Sequence, residues 1–76
     1  MHIKILGSGC KKCLTLGENT RVALEQKGLQ ADIEKITDFA QIAAYGVMST
    51  PALVIDGKVV AVGKVLSSSE IVPLLG

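Results

Sequence analysis

A change of hydrophobic period at one glycine-rich turn most restricts how this chain can fold. Ile3 to Leu6 is a short continuous apolar run, which suits a buried strand, and it ends at Gly7. Gly7-Ser8-Gly9 reads as a turn, and from Cys10 to Lys27 the pattern becomes helical. Leu16, Thr20, Ala23 and Leu24 recur at helical spacing and form one stripe, with Glu18, Arg21 and Glu25 off it. Gly17 interrupts that helix at a cost of about 1 kcal/mol relative to Ala. Gly28 stops it, and Leu29 is placed for the apolar contact that follows such a cap.

The remaining punctuation divides the chain into short elements. Ala31 to Ile36 alternates imperfectly and reads as a second strand. Thr37 or Asp38 caps a short helix, since Asp38 with Gln41 resembles a capping box. Phe39, Ile42 and Ala43 form the expected apolar face of that helix, and Gly46 ends it. Ala52 to Ile55 is a third strand. Asp56-Gly57 is a preferred two-residue hairpin turn, and Lys58 to Val62 returns as the partner strand. Gly63 to Leu66 is a loop. Ser67-Ser68-Ser69-Glu70 is a capping box opening a last helix through Leu75, which Pro73 bends or ends.

The order is therefore βαβ, then α, then a ββ hairpin, then α. The first unit is expected to be parallel and right-handed, and the hairpin strands antiparallel because their turn is so short. These requirements predict an α/β fold: a four-stranded mixed sheet with three helices distributed over both faces. All 76 residues are expected to form a single domain, residues 1–76.

Composition excludes several classes of function. Hydrophobic residues make up 49% of the chain, and Phe39 and Tyr45 are the only aromatics, so the core must be aliphatic. The net charge is +1 with acids and bases mixed, so no basic face is available for nucleic acid. No apolar stretch is long enough to span a bilayer. Met1 to Leu6 lacks the long apolar segment and cleavage site of a signal peptide, which points to the cytoplasm. Two cysteines are too few for a secreted disulfide scaffold, and a close pair in a reducing compartment is catalytic or metal-binding.

That pair is Cys10-Lys11-Lys12-Cys13, at the junction of a strand and a helix. The unpaired N–H groups and dipole at a helix start favour a thiolate on Cys10, and Cys13 lies one turn on, within disulfide reach. The competing reading is two inert buried thiols, which the exposed position expected for Cys10 after the glycine turn disfavours. The charges of Lys11 and Lys12 lower the expected Cys10 pKa further, though both also suit a solvated first turn. Thr50-Pro51 precedes the third strand, where a proline cannot supply a ladder N–H. On these residues alone an ordinary trans proline is the simpler reading. A cis bond is the alternative, and it would leave the Thr50 backbone available to an extended substrate.

Taken together, the strand, Gly7-Ser8-Gly9-Cys10-Lys11-Lys12-Cys13, the helix, and Thr50-Pro51 before a hairpin resemble the thioredoxin/glutaredoxin superfamily. They are especially similar to its very short redox-active disulfide proteins from archaea and bacteria, over essentially the whole chain. The resemblance implies a thioredoxin-like fold and a thiol–disulfide oxidoreductase that reduces protein disulfides through a redox-active Cys10–Cys13 disulfide, with no other cofactor and no metal. It implies that Cys10 attacks, Cys13 resolves, and a cis Thr50-Pro51 faces the pair and contacts substrate. Gly63 matches a family glycine that keeps the rim of the site open, a rim that Gly9, Lys11 and Lys12 complete.

The departures bear on the redox partner. Larger thioredoxins carry Trp before the first cysteine and Gly-Pro between the two, whereas here Gly9 and Lys11-Lys12 occupy those positions. Glutaredoxins carry a glycine-rich acidic element for glutathione, and Val62-Gly63-Lys64-Val65 offers one glycine and no acid. A dithiol reductase such as a thioredoxin reductase is therefore the expected partner, and a monomer the expected state. The alternative is a module that holds Cu(I) or a similar soft ion through both thiolates. Against it stand the element order, which differs from that of small copper chaperones, and Thr50-Pro51, which has no role there. Tetrahedral Zn²⁺ would need two further ligands, and only His2 is available. Among other residues, His2 is expected at the surface, and Tyr45, which ends the second helix near Thr50-Pro51, either in a half-buried packing role or at the border of the active site. Met48 is expected either to flank a groove or to fill a core gap.

Overall fold

A computed structural model describes residues 1–7 and 11–75. Among them, β1 (His2–Leu6), α1 (Lys11–Lys27), β2 (Asp32–Ile36) and α2 (Phe39–Ala44) are followed by β3 (Ala52–Ile55), β4 (Lys58–Val62) and α3 (Ser68–Ile71). A 3₁₀ segment, Val72–Leu75, continues α3. The four strands are ordered β2-β1-β3-β4. β1 and β2 are parallel, and β3 is antiparallel to both β1 and β4. The expected mixed α/β architecture is the observed one.

Side-chain alternation divides the interior strands between two cores. Ile3 and Ile5 of β1, with Leu53 and Ile55 of β3, pack against Leu16, Ala23 and Leu24 of α1 and against Ile71 and Leu75. Leu6, Ala52 and Val54 point the other way and pack with Ile36, Ile42 and Val47. The α1 stripe read from the sequence is the buried one. Thr20 belongs to it because its hydroxyl donates to the Leu16 carbonyl at 2.8 Å, so no buried donor is left unmet there. On the opposite side of α1, Arg21 pairs with both Glu18 and Glu25 in solvent.

The turns follow their residue chemistry. Asp56 and Gly57 have φ of +49° and +81°, as a hairpin loop that matches strand twist requires. The Asp56 backbone N–H and the His2 carbonyl, and the His2 N–H and the Asp56 carboxylate, bond at 2.8 Å and tie the hairpin tip to β1. Val60 is left without an opposite residue where the β3–β4 register shifts, which is a bulge. At the end of α1, Leu29 N–H donates to the Leu24 carbonyl and Gly28 N–H to that of Glu25, the paired closure expected at this glycine.

Three expectations need correction. The α2 face is narrower than predicted: Ile42 is buried, but Ala43 is exposed and Phe39 is 82% exposed. Six residues make fewer than two turns, so the helix delivers one buried side chain, and Val47 with half-buried Tyr45 completes the core beyond it. The second strand begins at Asp32, not Ala31. The last helix does not remain α-helical to Leu75. Pro73 cannot donate to the carbonyl four residues back, and the chain tightens to 3₁₀ from Val72. The predicted helix start at Cys10 lies outside the described residues.

The Ser67 cap is complete: its hydroxyl accepts from Glu70 N–H at 3.3 Å, and the Glu70 carboxylate accepts from Ser67 N–H at 3.1 Å. That backbone bond holds the Glu70 carboxyl below the usual carboxylate range. Because α3 and its extension cover α1, the cap supports the larger core. Ser67→Ala is expected to lower stability by about 1 kcal/mol in urea unfolding, with the dependence on urea concentration unchanged.

Candidate functional site

Strand register gathers most of the site. Leu6, the last residue of β1, lies opposite Ala52, the first of β3, and Ala52 in turn lies opposite Val62, the last of β4. The residues one step further, Gly7, Pro51 and Gly63, therefore meet across three strands at one end of the sheet. α1 starts there too, which brings in Cys13.

Gly7 extends the β1–β2 ladder by one bond, its N–H donating to the Ile36 carbonyl at 2.9 Å. It is buried, and the place a side chain would take is filled. A Cβ on Gly7 would lie 2.2 Å from Cys13 Sγ, 3.5 Å from Cys13 Cβ and 3.7 Å from Thr50 Cβ. The Cys13 sulfur thus sits over the strand backbone, with Thr50 alongside. Cys13 itself is 5% exposed in the first turn of α1. Lys11 and Lys12 are exposed in that turn, which contains no acidic residue.

The segment facing this sulfur is also held from behind. The Thr50–Pro51 peptide is cis, Thr50 is exposed and Pro51 is buried. Gly63 N–H donates to the Pro51 carbonyl at 2.8 Å. Gly63 has φ of +68°, and a Cβ there would approach Ser49 Cβ to 3.1 Å. Residue 63 must therefore accept left-handed backbone and leave room for the segment that carries Thr50 and Pro51.

Cys13, Thr50, Pro51 and Gly63, four residues singled out from the sequence, are thus brought to one end of the sheet. Cys10 and Gly9 lie outside the described residues. Gly7 went unrecognised as part of the site, being read only as turn. The available signal was a glycine at the point where the apolar run ends and the chain must pass a helix start. Ser49, packed under Gly63, left no sequence signal.

The lesser candidates separate cleanly. Met48 is 96% exposed, so it fills no core gap. Tyr45 is half-buried, and its hydroxyl accepts from Lys4 Nζ at 2.9 Å. That bond holds the Lys4 ammonium above its ordinary value, with a smaller contribution from Glu34. His2 is at the surface, 3.4 Å from Glu34. Among the described residues, no group of three or more His, Cys, Asp or Glu is arranged to hold a metal ion. Among the same residues, no helix is long and apolar enough to cross a membrane.

The chain is similar to known proteins over most of its length. A family model described as a thioredoxin domain matches residues 1–76. A thioredoxin of Methanothermobacter thermautotrophicus is 39% identical over 75 residues, covering 99% of this chain and 97% of that protein. A thioredoxin of Methanocaldococcus jannaschii is 42% identical over 69 residues, covering 91% of this chain and 79% of the relative. The soft-metal alternative finds no support in these matches.

The packing at Gly63 carries a direct test. Gly63→Ala is expected to cost about 1–2 kcal/mol of stability from left-handed backbone alone, read from chemical denaturation. Crowding against Ser49 adds to this. A variant as stable as the parent would show that residue 63 does not constrain the Thr50-Pro51 segment.

Proposed function

The chain belongs to the thioredoxin family and is a thiol–disulfide oxidoreductase, and from that premise we propose that Cys10 and Cys13 form its redox couple, with protein disulfides as substrates. The observation that carries the assignment of roles is the burial of the Cys13 sulfur against Gly7. A sulfur enclosed between a helix and a strand cannot be the first to meet a disulfide on a bulky partner. The entering thiolate is then Cys10, and Lys11 and Lys12 favour its charged form by their proximity in the chain.

The exchange proceeds in two balanced steps. Cys10 thiolate attacks one sulfur of the substrate disulfide, forming a mixed disulfide and expelling the other sulfur as a thiolate. Cys13 loses its proton and attacks Cys10 Sγ. The Cys10–Cys13 disulfide forms, and the second substrate sulfur leaves and is protonated. Two electrons pass from the dithiol to the substrate. Thr50, exposed beside Cys13, offers its backbone to an extended substrate segment in this reading. We place the reaction in the cytoplasm, where the dithiol is kept reduced.

Regeneration of the dithiol falls to a dithiol reductase of the thioredoxin reductase type. Glutathione needs anchors for its carboxylates and its cysteinyl backbone. Thr50 can serve the backbone and Lys11 or Lys12 one carboxylate, but Val62-Gly63-Lys64-Val65 supplies no further recognition group. Exchange through a poorly held glutathione mixed disulfide is slow.

Two outcomes are expected. Cys10→Ser abolishes reduction of protein disulfides, and Cys13→Ser accumulates mixed disulfides visible by non-reducing electrophoresis and mass. Trapping by Cys10→Ser in place of Cys13→Ser would reverse the roles. In a coupled assay at matched driving force, a thioredoxin-type reductase supports turnover and glutathione alone does not. Saturable turnover of a glutathionylated substrate with glutathione as the only reductant would overturn the partner assignment.

A further inference from the structure

We infer that Gly7 is a positioning residue whose missing side chain forms the seat of the Cys13 sulfur. The inference rests on the two-cysteine exchange above for its kinetic consequence, but its structural half stands on geometry alone. Gly7 is not in a left-handed conformation, so its backbone accepts alanine. Its N–H is fixed by the 2.9 Å bond to Ile36, so the strand end cannot easily retreat. Of the atoms around the missing Cβ, Cys13 Cβ at 3.5 Å and Thr50 Cβ at 3.7 Å are at ordinary contact distance. Among the described residues, Cys13 Sγ, at 2.2 Å, is the atom that forbids a side chain.

A methyl group at residue 7 must therefore move that sulfur. It can do so by rotating Cys13 about χ1 or by lifting the first turn of α1. Either response alters the line along which Cys13 approaches Cys10 in the resolving step. Rotation about χ1 leaves the chemistry of the first attack, on the substrate by Cys10, without a direct cause for change. Reacting atoms held in near-attack geometry lose rate steeply when displaced by about 1 Å. The seat is thus a device for the second half of the exchange.

Stopped-flow reaction of the reduced protein with 5,5′-dithiobis(2-nitrobenzoate) separates the two steps. The first thionitrobenzoate is released when Cys10 attacks, the second when Cys13 resolves the mixed disulfide. In Gly7→Ala the first phase is expected to stay within about twofold of the parent and the second to slow about tenfold or more. Equal rates for the second phase in both proteins would overturn the inference. A parent that releases no second thiolate would instead count against the Cys10–Cys13 reading, and the seat is then judged by stability. Gly7→Ala is expected to lower the urea midpoint of the parent, but not that of Cys13→Ala, in which the sulfur is gone. An equal loss in both backgrounds would show that Gly7 serves its backbone rather than the sulfur. Should Gly7→Ala alone fail to fold, recovery of folding in the Gly7→Ala/Cys13→Ala double variant supports the seat, and its failure to recover overturns it.

Discussion

Every residue of β3 is buried, and the rest of the molecule is arranged to make that possible. β3 lies between β1 and β4, so its backbone groups are paired on both edges. Its side chains alternate, and each face needs an apolar cover. Leu53 and Ile55 receive it from α1, α3 and the 3₁₀ segment, and Ala52 and Val54 from Ile42 and Val47. In so small a chain the surface available to bury is limited, so one doubly covered strand serves two cores at once. The short helix α2 is sufficient because small Ala52 and Val54 leave little to cover on its side.

The same strand locates the chemistry. Because β3 is antiparallel to both neighbours, its first residue marks where β1 and β4 finish. The chain turns at Gly7, Pro51 and Gly63 thus fall in one row, and the start of α1 drops Cys13 onto it. Each contact in the row is one of close approach: sulfur over Gly7, the Gly63 N–H on the Pro51 carbonyl, Ser49 under Gly63. Two of the three strand-end positions are glycine for this reason. In this place one thiol is enclosed while Thr50 beside it stays exposed.

Polar groups are settled away from this row. Arg21 is paired with Glu18 and Glu25, His2 with Glu34, Lys4 with the Tyr45 hydroxyl, and Glu70 with the Ser67 cap. Exposed pairs of this kind contribute little singly to stability. Their effect on function is indirect: the first turn of α1 keeps two exposed lysines and no acid. The turn that carries Cys13 is therefore locally basic, in a chain whose net charge is only +1.

Elements that depend on local chemistry could be read from the residues alone. The hairpin at Asp56-Gly57, the closure of α1 at Gly28, the Ser67–Glu70 box and the buried stripe of α1 are all properties of neighbouring residues, and each was legible. So was the place of Cys13, because a strand end and the first turn of a helix are local features. Two local readings extended too far, one overruled by packing and one by a proline within the pattern itself. Phe39 has the apolar character of a core residue, yet the sheet beneath α2 is filled by Ile42, Val47 and Tyr45. Val72 lies within a helical pattern, yet the missing N–H of Pro73 changes the turn it starts. The purpose of Gly7 emerges from the packed fold and from no local pattern. Its role depends on Cys13 arriving through α1, Thr50 arriving ahead of β3, and Ile36 fixing the strand end from β2. No window of sequence contains those residues together, because strand pairing and helix packing, not proximity along the chain, bring a sulfur into the space where a side chain would stand.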